Sequence, residues 1–273
     1  MSAAPFRTIE CSDPAIGADG LTFVTVKSAA LGQRADITFF VPPEAEGIAD
    51  VPLVLLLHGV YGSHWAWALK GGAHRTAARL IAEGVLPPVV LAMPSDGLWG
   101  DGSGYVAHLS QDFESWILDE VPAAASQVCA GCTGRSPLFV AGLSMGGFGA
   151  LRLAGKHPGR IAAAAGHSSI TDIAELDALI EEDRRGWSDA PADRTVLTAL
   201  LDAPGPLPPL RFDCGLDDPF LAGNRWLHHA LKEAGIAHTY KESEGGHDWP
   251  YWSRTLADTL AFFGRILRGE KEA

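Results

Sequence analysis

The segment from Leu138 to Gly149, LFVAGLSMGGFG, constrains the fold more than any other stretch of the chain. An apolar run passes into Gly142-Leu143-Ser144-Met145-Gly146 and then into small residues. This G-x-S-x-G pattern is expected where a strand turns sharply into a helix and lifts a serine out of the sheet. The glycines suit that corner, because a serine held in a strained conformation leaves no room for flanking side chains. The predicted strand covers Pro137 to Ala141 and the predicted helix Met145 to Lys156. A helix starting at Met145 leaves its first backbone N–H groups unpaired beside Ser144, where they can hold a developing oxyanion.

The rest of the chain repeats the same alternation. Leu21 to Ser28 and Ala35 to Val41 alternate apolar and polar residues, as antiparallel strands with one wet face do. The solid apolar run Val51 to His58 suits a strand buried on both faces, and Val89 to Met93, Ile161 to Ala165 and Leu210 to Asp213 follow it. Helical patterns lie between them at Ala73 to Glu83, Phe113 to Ala125 and Asn224 to Ala234. A short strand, His238 to Glu242, precedes a helix over Tyr251 to Arg268 whose Leu256, Leu260, Phe263 and Leu267 form one apolar stripe. The expected fold is α/β, a mostly parallel central sheet flanked by helices in a single domain over residues 1–273. Thr171 to Pro209, acidic and then proline-rich, reads as a small helical insertion over the strand ends.

Composition narrows the partners. A net charge of -12 argues against nucleic acid and anionic membranes, both of which want a basic face. No apolar stretch approaches the roughly 20 residues of a membrane span. Met1 to Arg7 shows no basic stretch followed by an apolar core, so a cytoplasmic placement without a secretion signal is expected. Cys129-Ala-Gly-Cys132 has metal-knuckle spacing without a second pair, so a loop coincidence or a local redox pair is expected rather than a zinc site. No metal and no cofactor is expected, and a homo-oligomer is left open.

A serine hydroxyl needs a base to take its proton and an acid to orient that base. His247, in the glycine-flanked loop Glu244-Gly245-Gly246-His247-Asp248-Trp249, is the candidate base. The acid is expected in the strand and loop Arg211 to Phe220, where Asp213, Asp217 and Asp218 compete. Asp213 lies early, within the strand. Asp217 and Asp218 are adjacent and point different ways, so only one can meet His247. A second oxyanion donor is expected from Leu57-His58-Gly59-Val60-Tyr61-Gly62, with Gly59 turning the backbone and the Val60 N–H pairing with that of Met145. His58 reads as a structural hydrogen-bonder there. Trp65, Trp99 and Trp249 fall in segments that converge on the strand ends, as the walls of an aromatic pocket would.

The pieces LLLHGVYGSHWAW, GLSMGGFGAL, FDCGLDD and GGHDWPYW, spread over Leu21 to Phe263, together resemble the putative esterase family of α/β-hydrolases. That family includes esterase D (S-formylglutathione hydrolase), feruloyl and acetyl-ester hydrolases, tributyrin-type esterases and mycolyltransferases. The resemblance implies a triad of Ser144, His247 and an Asp in the Cys214–Asp218 segment, with Val60 and Met145 as oxyanion amides. Its C-G-x-x-D pattern implies Asp218. The implied activity is a serine carboxylesterase acting on small acyl or aryl esters, with a small-molecule ester as partner. The loop His58 to Gly62 departs from the cysteine-bearing loop of the S-formylglutathione branch, so a thioesterase or acyltransferase on the same triad is the second reading. A binding protein on the same scaffold commonly loses the serine or histidine, and both are present.

Overall fold

In the computed structural model, which describes residues 6–13, 16 and 19–270, nine strands pair into one sheet. Residues 1–5, which carry most of the leader reading, and residues 271–273 of the expected domain lie outside the described residues. The strands are β1 (Ile9–Cys11), β2 (Leu21–Lys27), β3 (Arg34–Phe40), β4 (Leu53–Leu57), β5 (Val90–Pro94), β6 (Leu138–Leu143), β7 (Ala163–His167), β8 (Leu210–Gly215) and β9 (Thr239–Ser243). Their spatial order is β1-β2-β3-β5-β4-β6-β7-β8-β9. Pairing is antiparallel from β1 to β3 and between β3 and β5, and parallel from β5 through β4 to β9.

Pattern explains the layering. In β4, Leu53, Leu55 and Leu57 join one apolar layer while Val54 and Leu56 join the other, so the strand is buried on both faces. The helices are α1 (Ala66–Leu69), α2 (Ala73–Ala82), α3 (Phe113–Ser115), α4 (Val121–Val128), α5 (Met145–Lys156), α6 (Pro191–Arg194), α7 (Val196–Leu201), α8 (Leu221–Glu233) and α9 (Trp249–Leu267). Leu256, Leu260 and Phe263 of α9 pack with Leu80 and Ile81 of α2 on the layer of Val54 and Leu56. Phe148 and Leu151 of α5 pack with Ile117, Val196 and Leu227 on the other layer.

Four local differences from the sequence reading have physical causes. The helix expected over Phe113 to Ala125 contains a π-helical turn, Trp116–Glu120, and runs on to Val128. Pro122 has no N–H for the carbonyl of Leu118, which instead accepts from Arg160 Nη2 at 2.7 Å. β7 begins two residues later than expected because its parallel register pairs Phe139 with Ala163. β1 is a three-residue edge strand with little burial, and α1 is a single turn; both are too short to show periodicity. Within 171–209 the regular elements are a 3-10 helix, Ile173–Ala178, together with α6 and α7. α7 lies so close to α5 that a Cβ on Gly155 would stand 2.3 Å from the Ala199 carbonyl oxygen.

A buried ion cluster fastens α5 to α3 and α6. The guanidinium of Arg152, fully buried, bonds Glu114, Asp193 and the Tyr105 carbonyl, and Lys156 bonds the same two carboxylates. Burial pushes the Glu114 carboxyl up, but the hydrogen bond from His157, the charge of Arg152 and the hydrogen bonds from Lys156 and Arg152 outweigh it and hold it well below the usual range. Nearby, burial lowers His108 to about 4 from 6.5.

Both shifts act in one direction. The unfolded chain binds a proton at His108 below pH 6.5 while the folded chain does not until about pH 4, so stability falls across that window as pH drops. Glu114, depressed in the fold, adds stability above its unfolded value near 4.5 that is lost as pH falls further. The melting temperature is expected to drop through both windows. Glu114→Gln should melt lower than wild type at neutral pH and lose less between about pH 5 and 3. Parallel melting curves for the two proteins over that range would remove the cluster as the cause.

Candidate active site

Ser144 stands at the corner between β6 and α5 with φ 54 and ψ -119, outside the conformations that a side chain tolerates without strain. Its surroundings hold it there. Its N–H donates to the His167 carbonyl at 2.9 Å, and its carbonyl accepts from Phe148 and Ile170. A Cβ on Gly142 would lie 2.2 Å from the Gly146 oxygen, and one on Gly146 would lie 2.3 Å from the Leu57 oxygen. Close approach of three backbone segments therefore demands both glycines. Gly59 serves the same need rather than the turning role expected of it: its Cβ would meet Leu143 Cδ1 at 2.8 Å and Ser144 Cβ at 3.1 Å. The left-handed turn of that loop falls on Tyr61, φ 59.

His247, in the loop between β9 and α9, reaches Ser144 Oγ with Nε2 at 3.0 Å. Its Nδ1 lies 2.9 Å from Asp218 Oδ2. A carboxylate only accepts, so Nδ1 carries the proton and Nε2 is left to take the serine hydroxyl's hydrogen. Asp218 Oδ1 accepts from the Phe220 N–H at 2.9 Å, and its side chain is wholly shielded from water. Phe220 and Trp252 stand edge-on to the imidazole at 5.1 and 4.9 Å and fix its plane. Phe220 carried no signal in the sequence, because nothing before the fold places it beside His247.

The competing carboxylates go elsewhere. Asp217 is exposed, and its N–H bonds the Gly245 carbonyl at 3.0 Å. Asp213 is fully buried and takes bonds from His167 Nδ1, Tyr251 and Arg211 at 3.1, 3.0 and 2.8 Å. Burial pushes its carboxyl up, but His167 and Arg211 outweigh that and hold it below the usual value. The His167–Asp213 pair thus belongs to the core beneath the site. His58 is also spent, its Nδ1 on the Gly59 carbonyl at 2.7 Å and its Nε2 on the Asp96 N–H at 3.1 Å.

The Val60 N–H has no acceptor among the described residues, and Met145, first in α5, has no helical partner for its own. A cavity of about 700 Å³ holds Ser144 and His247 and is walled by Val60, Tyr61, Trp65, Leu179, Phe220 and Trp249. Trp65 and Trp249 are among these walls. Trp99 is not: its ring packs edge-on against His108 at 4.7 Å and Trp187 at 5.6 Å, away from the cavity walls. That cluster joins the loop after β5 to the 171–209 segment, and an aromatic there gains more by burial than by facing water.

A cleft of about 710 Å³ elsewhere includes Cys132, but burial and the neighbouring Cys129 push that thiol up to about 12, so it carries no thiolate. Cys129 and Cys132 are free thiols, and among the described residues no group of three His, Cys, Asp or Glu side chains is placed to hold a metal ion. Among the described residues no helix is long and apolar enough to cross a membrane.

Strand–helix alternation with a serine at the strand-to-helix corner, and a histidine and carboxylate supplied by later loops, define an α/β-hydrolase. The chain belongs to the family described as Putative esterase, whose model matches residues 28–263, and it is a carboxylic ester hydrolase. An acetyl esterase of Caldicellulosiruptor saccharolyticus is 26% identical over 236 residues, covering 80% of this chain and 85% of that protein. A solved ferulic acid esterase superposes with a TM-score of 0.73 at 23% identity, covering 90% of this chain and 98% of the other. An S-formylglutathione hydrolase from Staphylococcus aureus gives 0.74 at 18% identity, covering 93% and 98%. These two likenesses concern the fold.

Proposed function

We propose that this esterase hydrolyses small acyl or aryl esters through a covalent acyl-serine, with Ser144 as nucleophile, His247 as proton carrier and Asp218 as its orienting acid. The observation that carries the reading is the continuous chain Ser144 Oγ–His247 Nε2 at 3.0 Å and His247 Nδ1–Asp218 Oδ2 at 2.9 Å, opening on an apolar cavity. Ser144 attacks the ester carbonyl as His247 takes its proton, and the Val60 and Met145 amides hold the oxyanion. His247 then gives the proton to the leaving alcohol, the acyl-serine forms, and water, deprotonated by the same imidazole, releases the acid. Asp218 keeps Nδ1 protonated and steadies the imidazolium. The aromatic walls, Trp65, Phe220 and Trp249, favour an aryl or short acyl substrate over a charged one.

The test combines substrates with a covalent probe. Turnover should be measured on p-nitrophenyl acetate and butyrate, a feruloyl ester and an S-formyl thioester, before and after stoichiometric labelling with a fluorophosphonate. Labelling of Ser144 with complete loss of turnover is the expected result. Full activity in labelled enzyme, or a label on another residue, would defeat the nucleophile assignment. A thioester preferred over every oxygen ester in kcat/KM would shift the reading to a thioesterase.

A further inference from the structure

Tyr61 follows Val60 directly and holds a left-handed backbone at φ 59, which a tyrosine keeps only when its surroundings impose it. Two hydrogen bonds impose it. The Tyr61 N–H donates to the Asp101 carbonyl at 3.0 Å, and the phenol donates to the Leu179 carbonyl. Asp101 carries the first link onward, because its Oδ2 accepts from the Glu181 N–H at 2.9 Å and its own N–H donates to Glu182 Oε2 at 3.0 Å. The loop after β4 and the segment 179–182 are therefore joined twice, once directly and once through Asp101.

Both ends of the direct link, Tyr61 and Leu179, wall the cavity that holds Ser144. Tyr61 is 68% exposed, so the phenol spans the rim of the cavity rather than its floor. A hydrogen bond at a wet rim can open at small cost, since water replaces the lost partner.

We propose that Tyr61 is a specificity-determining residue whose phenol, strapped to Leu179, bounds one side of the cavity and limits the esters it takes to compact ones. This rests on the esterase reading of the same site. A longer acyl or alcohol chain entering on that side must displace the phenol from Leu179, whereas a short one fits beside it. The link through Asp101 keeps the backbone of the loop in place when the phenol moves.

The test is a chain-length profile on wild type, Tyr61→Phe and Tyr61→Ala. One series varies the acyl group of p-nitrophenyl esters from acetyl to octanoyl, and the other varies the alcohol of acetate esters from ethyl to naphthyl. In one of the two series Tyr61→Ala should raise the ratio of long-chain to short-chain kcat/KM by about tenfold, the worth of opening one pocket wall. Tyr61→Phe, which keeps the ring and the backbone bonds, should shift the same ratio in the same direction by about two- to threefold. It also serves if the alanine variant fails to fold. Unchanged ratios in both series would overturn the proposal. An equal loss on every ester would also overturn it, and would assign Tyr61 to holding the Val60 amide instead. Wild-type enzyme inactive on p-nitrophenyl acetate would defeat the esterase reading itself and the proposal with it.

Discussion

Ser144→Ala is expected to lower kcat by about 10⁴–10⁶ while the fold stays intact. On the proposed mechanism the hydroxyl is the attachment point for the acyl group, so nothing else in the cavity substitutes for it. Among the described residues its only side-chain bond is to His247 Nε2, whereas its backbone bonds to His167, Phe148 and Ile170 survive the change. Alanine occupies the same strained φ and ψ at a similar cost, since both residues carry a Cβ. The variant should therefore melt close to wild type. His247→Ala should cost about as much as Ser144→Ala, and the double variant little more, because the two groups act as one unit. Strictly additive losses in kcat would show that His247 shapes the cavity without carrying the proton. Turnover by the purified serine variant near the wild-type rate would dismiss Ser144 as nucleophile.

Much of this architecture was legible because the chemistry confines the sequence. Solid apolar runs such as Val51 to His58 suit strands covered on both sides, and β4, within that run, is one. The corner glycines were legible for a related reason, although the cause at Gly59 is crowding against Leu143 and Ser144 rather than a turn. What escaped notice depends on long-range geometry. Trp99 and Trp249 look alike in sequence, each after a strand or beside a loop, yet one packs with His108 and Trp187 while the other faces the cavity. Phe220 against His247, the Tyr61–Leu179 strap and the Arg152 cluster all join residues distant in the chain, so no local pattern marks them. The π-helical turn before Pro122 was hidden for the opposite reason. Proline there signals a break, but the structure reroutes one carbonyl to Arg160 and continues the helix.

Asp218→Asn should lower kcat by about 10⁴, and Asp217→Asn by less than about tenfold. The geometry gives the reason. Asp218 uses one oxygen on the Phe220 N–H and the other on His247 Nδ1, and both partners are donors. An asparagine has a single oxygen. If that oxygen stays with Phe220, its NH₂ faces Nδ1, and the imidazole must move its proton to Nε2, where it can no longer accept from Ser144. If the oxygen turns to His247, the Phe220 N–H is left with the NH₂ and the negative charge that steadies the imidazolium is gone in either case. Asp217 offers no such constraint: it is exposed, and its anchoring bond to Gly245 runs through backbone that the substitution leaves alone. Asp213→Asn should act differently again, by loosening the bonds to His167, Tyr251 and Arg211 and lowering the melting temperature more than it changes the pH profile of turnover. Steady-state kinetics on the three variants, each checked by its melting temperature, separates these outcomes. Greater loss in Asp217→Asn than in Asp218→Asn would transfer the orienting role to Asp217 and leave the serine and histidine assignments standing.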